Sequence, residues 1–208
     1  MIESQLKPEG ISCSNTIDCI SRVNREDFVP TEFKNLSYAE YDIPLRNTYS
    51  MLKPLITAKI LQSLNINKND EILEIGTGSG YLTCCLSLMG KSVDTLDIDI
   101  SMLEEAKKSH NIYSIYNINY FNEDVFSNWT PKKNYDVIII TGSVDSRLEK
   151  LENVLKDNGR MFVVIGKKPV MYANIIQRVS KSKLLCNQSF ETTLEQLSNV
   201  SKKKSLNF

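Results

Sequence analysis

Three glycines at alternate positions, Gly76, Gly78 and Gly80, close the run Glu74-Ile75-Gly76-Thr77-Gly78-Ser79-Gly80. A short apolar stretch at 71–75 precedes them and a longer one at 81–89 follows. The first reads as a buried strand and the second as a helix. A turn without Cβ atoms lets a ligand lie against the backbone. The start of the following helix offers N–H groups that have no partner within it. The chemistry these residues point to is the binding of a nucleotide-type cofactor. A dinucleotide fingerprint would need glycine at position 81, which is Tyr81. A phosphate-cradling loop would end in Gly-Lys-Ser/Thr, and the chain has no such run here.

Two further acids extend the pattern. Asp97 ends a strand-like stretch, 21 residues past Gly76. That is close to the distance at which a ribose-binding acid is expected, and its two oxygens can accept both ribose hydroxyls. Asp124 and Val125 follow the strand-like stretch 119–121. The E-x-G-x-G-x-G form resembles motif I of class I S-adenosylmethionine-dependent methyltransferases, whose ligand has no pyrophosphate. The resemblance implies that Glu74, Gly76, Thr77, Gly78, Ser79 and Gly80 surround the methionine moiety, with Glu74 facing its cationic amino group, through water. It places Asp97 and Ile98 at the ribose, and Asp124 and Val125 at the adenine. Thr141, at the end of the strand 135–141, is a candidate for lining the methyl site. The competing readings are a plain glycine loop, an Asp99 that caps the next helix, and an ordinary β-branched strand residue at 141.

The elements that must position these groups alternate. Strands are expected near 71–75, 92–97, 118–121, 135–141 and 160–166, and helices near 80–89, 101–109 and 144–155. Ser101 with Glu104 fits a capping box. Such alternation predicts an α/β fold, a doubly wound, Rossmann-like parallel sheet. Two more strand-like segments, 172–180 and 183–191, fit an antiparallel edge hairpin, with a helix open for 170–178. Residues 1–69 read as a helical and loop-rich lead-in on the substrate side, with Pro54 at the start of an apolar helix. Residues 70–208 read as the cofactor-binding core.

Composition narrows the partners. Lysine plus arginine and aspartate plus glutamate both number 25, so the formal charge is zero. That gives no broad electrostatic case for nucleic acid. The sharp basic cluster Lys202-Lys203-Lys204 reads as a solvated tail. The apolar runs are too short to span a membrane, and no signal-peptide pattern opens the chain, so a cytoplasmic protein is expected. The five cysteines lack metal-type spacing. They read as small buried hydrophobes. His110 is placed in a loop without a catalytic role. No metal is expected.

The lead-in resembles the protein-L-isoaspartate O-methyltransferase family. The matching residues are Arg22-Val23 and Arg25-Glu26-Asp27-Phe28-Val29-Pro30, then Tyr38-Ala39-Glu40 and Ile43-Pro44-Leu45. The match continues through Glu74–Gly80, 135–142 and Gly159-Arg160. The resemblance implies S-adenosyl-L-methionine as cofactor and a damaged protein or peptide as partner. The reaction it implies is methylation of the free carboxylate of an isoaspartyl residue. The family's Thr-Ile-Ser-Gln-Pro run is replaced by Ser50-Met51-Leu52-Lys53-Pro54, which puts Leu52 on the serine that holds the substrate carboxylate. Ser50, then Thr48 and Lys53, become the candidates for that role. Leu52 also keeps two alternatives open: a methyltransferase of this fold with another acceptor, and a cofactor-binding relative without turnover.

Overall fold

The computed structural model describes residues 1–46, 49–127 and 129–200. Its centre is a seven-stranded sheet in the order β3-β2-β1-β4-β5-β6-β7. The strands are β1 Glu71–Ile75, β2 Ser92–Asp97, β3 Ile118–Asn122, β4 Tyr135–Val144, β5 Leu155–Lys167, β6 Val170–Ser180 and β7 Lys183–Glu191. The first five pair in parallel, and β6 and β7 add an antiparallel hairpin at the edge. Helices α1 Ser14–Arg22, α2 Pro54–Leu64, α3 Tyr81–Met89, α4 Ile100–Ile112 and the short α5 Glu149–Glu152 complete the fold.

Alternation along the strands gives the sheet two apolar faces. Ile72, Val93, Val137, Ile139, Phe162 and Val164 join a cluster with Leu6, Ile20, Phe28, Leu61 and Leu86, so the lead-in and α1–α3 cover this face. Leu73, Leu96, Ile138, Ile140, Met161 and Val163 face the other way, onto Val125, Trp129, Leu151 and Val154. Buried strands between two covered faces explain the continuous apolar runs at 137–140 and 161–165.

Five sequence expectations are corrected. The helix expected at 144–155 is only Glu149–Glu152. β4 continues through Gly142 and Ser143 because Ser143 pairs with Val164 on one side and bridges Gln196 on the other. Beyond the helix, Val154 accepts a bond from the Tyr135 amide at 2.8 Å, which turns the chain into β5. Gly159 does not precede that strand; it lies inside it, where residues 156–159 bulge between the Tyr135–Leu155 and Val137–Arg160 pairs. The cap of α4 is Asp99, whose side chain accepts from the Ser101 amide at 2.9 Å, so the capping box at Ser101 does not form. His110 is in the last turn of α4 and 1% exposed, not in a loop. The segment 170–178 is strand, with hydrogen-bonded partners on both sides. Cys19, Cys84 and Cys85 are buried as expected, but Cys13 is half-buried and Cys186 exposed. Lys202, Lys203 and Lys204 lie outside the described residues.

Candidate active site

Glycine geometry at the end of β1 sets the site. Gly76, Gly78 and Gly80 have φ of 94°, 52° and 83°, where other residues are strained. A Cβ at Gly76 would fall 2.1 Å from Thr141 Oγ1. The Thr141 hydroxyl instead reaches the carbonyls of Ile75 at 2.9 Å and Gly76 at 2.8 Å, tying the turn to β4. Gly80 caps α3, and its carbonyl lies 2.8 Å from His110 Nε2.

A cleft of about 320 Å³ opens at the carboxyl ends of β1, β2 and β4. Gly76, Gly78, Asp97, Ile98, Asp124, Val125 and Thr141 line it, and Ser50 and Lys53 border it from the lead-in. The structure thus brings these sequence candidates to one cavity. Asp97 accepts from the Gly78 amide at 3.1 Å and the Asp99 amide at 3.0 Å, and burial raises its carboxyl above the usual range. Asp124 accepts from the Phe126 amide and from Asn199 Nδ2, both at 2.8 Å. Ile98 is 45% exposed at the rim, a flat apolar contact for a base or sugar. The carboxylates suit ribose and adenine donors, the glycines leave room for the ligand, and these residues fit S-adenosyl-L-methionine.

Other candidates lie elsewhere. Glu74 is fully buried and does not line the cleft. Its Oε2 accepts from Thr83 at 2.5 Å and Thr95 at 2.7 Å, and Thr95 contacts Thr77 at 2.6 Å. Burial pushes its carboxyl up to about 8. Glu74, Thr77 and Ser79 border a smaller cavity behind the glycine loop. Gly80 borders neither. Ser50 forms an antiparallel bridge with Pro44, and Lys53 pairs with Asp42 at 3.2 Å. Thr48 lies outside the described residues. Leu52 lines the cleft, and its carbonyl accepts from Arg25 Nη2 at 2.6 Å.

Sequence reasoning missed the segment 192–198, which forms one wall of the cleft. It has no residue pattern to mark it and acts only by where the edge hairpin delivers it. It also missed the burial of Arg25: the residue belongs to the run that carries the family resemblance, but its bonds to the Ser37 and Leu52 carbonyls inside the fold are not written in the sequence.

A parallel sheet whose strand order reverses between β1 and β4, with the glycine turn and acids beyond the strand ends, defines a class I S-adenosylmethionine-dependent methyltransferase. Residues 1–199 match the model of the protein-L-isoaspartate(D-aspartate) O-methyltransferase (PCMT) family, and the chain belongs to that family. A protein-L-isoaspartate O-methyltransferase of Dictyoglomus thermophilum is 34% identical over 176 residues, covering 85% of this chain and 79% of the relative. One from Desulfotalea psychrophila is 30% identical over 181 residues, covering 87% and 83%. The fold also matches a Plasmodium falciparum structure described as a beta-aspartate methyltransferase (PCMT) in complex with S-adenosyl-L-homocysteine. That match has a TM-score of 0.81 at 17% identity and covers 92% of this chain and 94% of the other.

Proposed function

We propose that the protein transfers the methyl group of S-adenosyl-L-methionine to the free carboxylate of L-isoaspartyl residues in damaged proteins or peptides. One observation carries this reading: the lead-in loop with Ser50 and Lys53 borders the same cleft as Gly76, Asp97 and Asp124. An acceptor held by that loop would meet the cofactor there. The cofactor supplies an electrophilic methyl on a cationic sulfur. The acceptor carboxylate is already ionised at neutral pH, its ordinary pKa being about 4, so the reaction needs no general base. This suits a chain whose one histidine is buried and bonded to Gly80 and Tyr120. As the new C–O bond forms and the S–C bond breaks, opposite charges disappear, which a water-poor cleft favours. Placement in line with the S–C bond is the protein's main contribution, worth about 7–11 kcal/mol in favourable systems.

In this reading the Ser50 hydroxyl orients the acceptor carboxylate and Lys53 attracts it as a point charge. Thr48 is a third candidate. Asp97 and Ile98 hold the ribose, and Asp124 and Val125 the adenine. Thr141 lines the methyl site through its side chain, its hydroxyl being engaged with the turn. Residues 1–69 serve the acceptor and 70–208 the cofactor. The cellular setting we infer is the cytoplasm. No helix among the described residues is long and apolar enough to cross a membrane.

Leu52 favours a second reading, methyl transfer to a different acceptor, because its side chain has no donor at the position where the family's serine acts. The test uses labelled cofactor with an isoaspartyl peptide and its normal aspartyl twin. Base-labile label in the isoaspartyl peptide alone supports the first reading. Cofactor binding without incorporation leaves the second.

A further inference from the structure

We propose that Arg25 is a positioning residue for methyl transfer: from inside the fold it ties the acceptor loop, residues 49–53, to the helix start that follows the glycine turn, and so sets where the acceptor stands relative to the methyl donor. The inference deepens the acceptor reading above and rests on it.

Arg25 opens a one-turn helix, Arg25–Phe28, and is 0% exposed. Its guanidinium meets three separate parts of the chain. Nε donates to the Ser37 carbonyl at 2.7 Å, and Nη2 donates to the Leu52 carbonyl. The guanidinium carbon lies 5.0 Å from the ring centroid of Tyr81, a cation–π contact. Tyr81 is the buried first residue of α3, directly after Gly80. Phe28 packs edge-on against the same ring at 5.6 Å, so both ends of the short helix touch the start of α3. Arg25, Ser50, Leu52, Gly76, Gly78 and Tyr81 border one recess of about 50 Å³, and Ser50, Leu52, Gly76 and Gly78 also line the main cleft. The side chain therefore stands where the acceptor loop and the glycine turn meet.

Other bonds shape the loop without reaching the cofactor core. The Met51 amide donates to the Ile43 carbonyl at 2.8 Å and the Leu45 amide to the Tyr49 carbonyl at 2.9 Å, all within the lead-in. Arg25 adds the polar tie from this loop to α3. Stability alone does not call for a guanidinium there. Arg25 has no salt bridge among the described residues, and its Nη1 has no hydrogen-bond partner. A buried charge is costly, and a well-packed apolar side chain often serves a core as well or better. What an apolar chain cannot do is fix two carbonyls from one rigid planar fork. Transfer in line with the S–C bond depends on such placement, since a displacement of about 1 Å can cost about 100-fold in rate.

The test compares Arg25→Lys and Arg25→Met with the wild type, each as the full chain. Lysine keeps the charge but has one nitrogen, and it cannot hold both carbonyls in the same geometry. Affinity for S-adenosyl-L-homocysteine, measured by calorimetry, is expected to stay near the wild-type value in both variants. The kcat for the isoaspartyl peptide is expected to fall by up to about 100-fold, more than KM rises. The Met51 and Leu45 amides should exchange faster than in the wild type, while amides in β1 keep their rates. A general loss of stability does not produce this combination. Wild-type kcat in a folded Arg25→Lys overturns the proposal; a raised KM alone would make Arg25 part of acceptor capture. A loss of donor affinity that matches the loss of rate also overturns it, because Arg25 then serves the donor site or the fold. Unchanged exchange at Met51 and Leu45 overturns it as well. Arg25→Lys carries the test where Arg25→Met does not fold. A wild type that binds the homocysteine ligand but leaves the isoaspartyl peptide unmethylated sinks the acceptor reading. The exchange comparison, which needs no acceptor, then decides the role of Arg25 by itself.

Discussion

At the scale of single residues, Glu74 and Asp97 are acids put to different uses by burial. Glu74 keeps its proton in the folded chain up to about pH 8, against 4.5 for an unperturbed glutamate. Burial is the main cause; the hydroxyls of Thr83 and Thr95 oppose it, and nearby Asp97 adds to it. Between those two values the folded state holds a proton that the unfolded chain has released. This group's contribution to stability is therefore complete below pH 4.5, falls as pH rises, and levels off above about 8. The steepest part has a slope of about 1.4 kcal/mol per pH unit. Glu74→Gln mimics the protonated form, and urea unfolding across that window should show a flatter dependence than in the wild type. Identical slopes would mean that Glu74 titrates normally. Asp97 instead reaches the cleft and orders its floor through the Gly78 amide. Replacing it by alanine should raise the dissociation constant for S-adenosyl-L-homocysteine by about 10- to 100-fold, from lost bonds to a charged group. Unchanged affinity would remove the ribose assignment.

At the scale of elements, the junction of β1, α3 and α4 fixes the glycine loop. Burial lowers the pKa of His110, which keeps the ring neutral, so Nε2–H donates to the Gly80 carbonyl and Nδ1 accepts from the Tyr120 hydroxyl at 2.7 Å. A Cβ at Gly80 would stand 2.7 Å from Ala106 Cβ and 2.8 Å from His110 Nε2. Gly10 is a built-in control, with φ of 85° and nothing within 4 Å of its would-be Cβ. Both alanine substitutions carry the backbone strain, so the difference between them isolates overpacking. Gly80→Ala should cost about 1–3 kcal/mol more than Gly10→Ala in thermal or denaturant unfolding. Equal costs would mean that α4 yields to the added methyl. The β1, α3 and β2 boundaries were legible because apolar runs and glycines mark them. The acids of the cleft were legible because their spacing follows the strand ends. The end of β4 was not, since Leu148, Leu151, Val154 and Leu155 suit a helical face, and only remote partners bring the residues on either side into the sheet, Val164 and Gln196 for Ser143 and Tyr135 for Leu155. His110 was misplaced because its ring is held by Gly80 and Tyr120, remote partners that local pattern does not reveal.

For the whole molecule, the decisive feature is how the two ends of the chain meet over the cofactor cleft. The strap 192–200 leaves β7 and crosses the end of β4, where the Ser143 amide donates to the Glu195 carbonyl at 2.9 Å and the Leu197 amide to the Ser143 carbonyl at 3.0 Å. Leu197 then lies against Gly142, where a Cβ would come 2.8 Å from its Cδ2. Asn199 reaches Asp124, and the Ser198 hydroxyl meets that of Tyr49 from the lead-in. Few backbone bonds hold the strap, so its local opening costs less than global unfolding. A ligand beneath it that binds only the closed form adds about 2.7 kcal/mol at a concentration 100 times its dissociation constant. Exchange of the Leu197 amide should therefore slow by about 100-fold on saturating S-adenosyl-L-homocysteine to that level. Amides deep in β1, which exchange through larger openings, provide the comparison within the same sample. Leu197→Ala, which loosens the contact with Gly142, should reduce both the protection and the ligand's affinity. Equal exchange at Leu197 with and without ligand would show that the strap does not close over the bound cofactor.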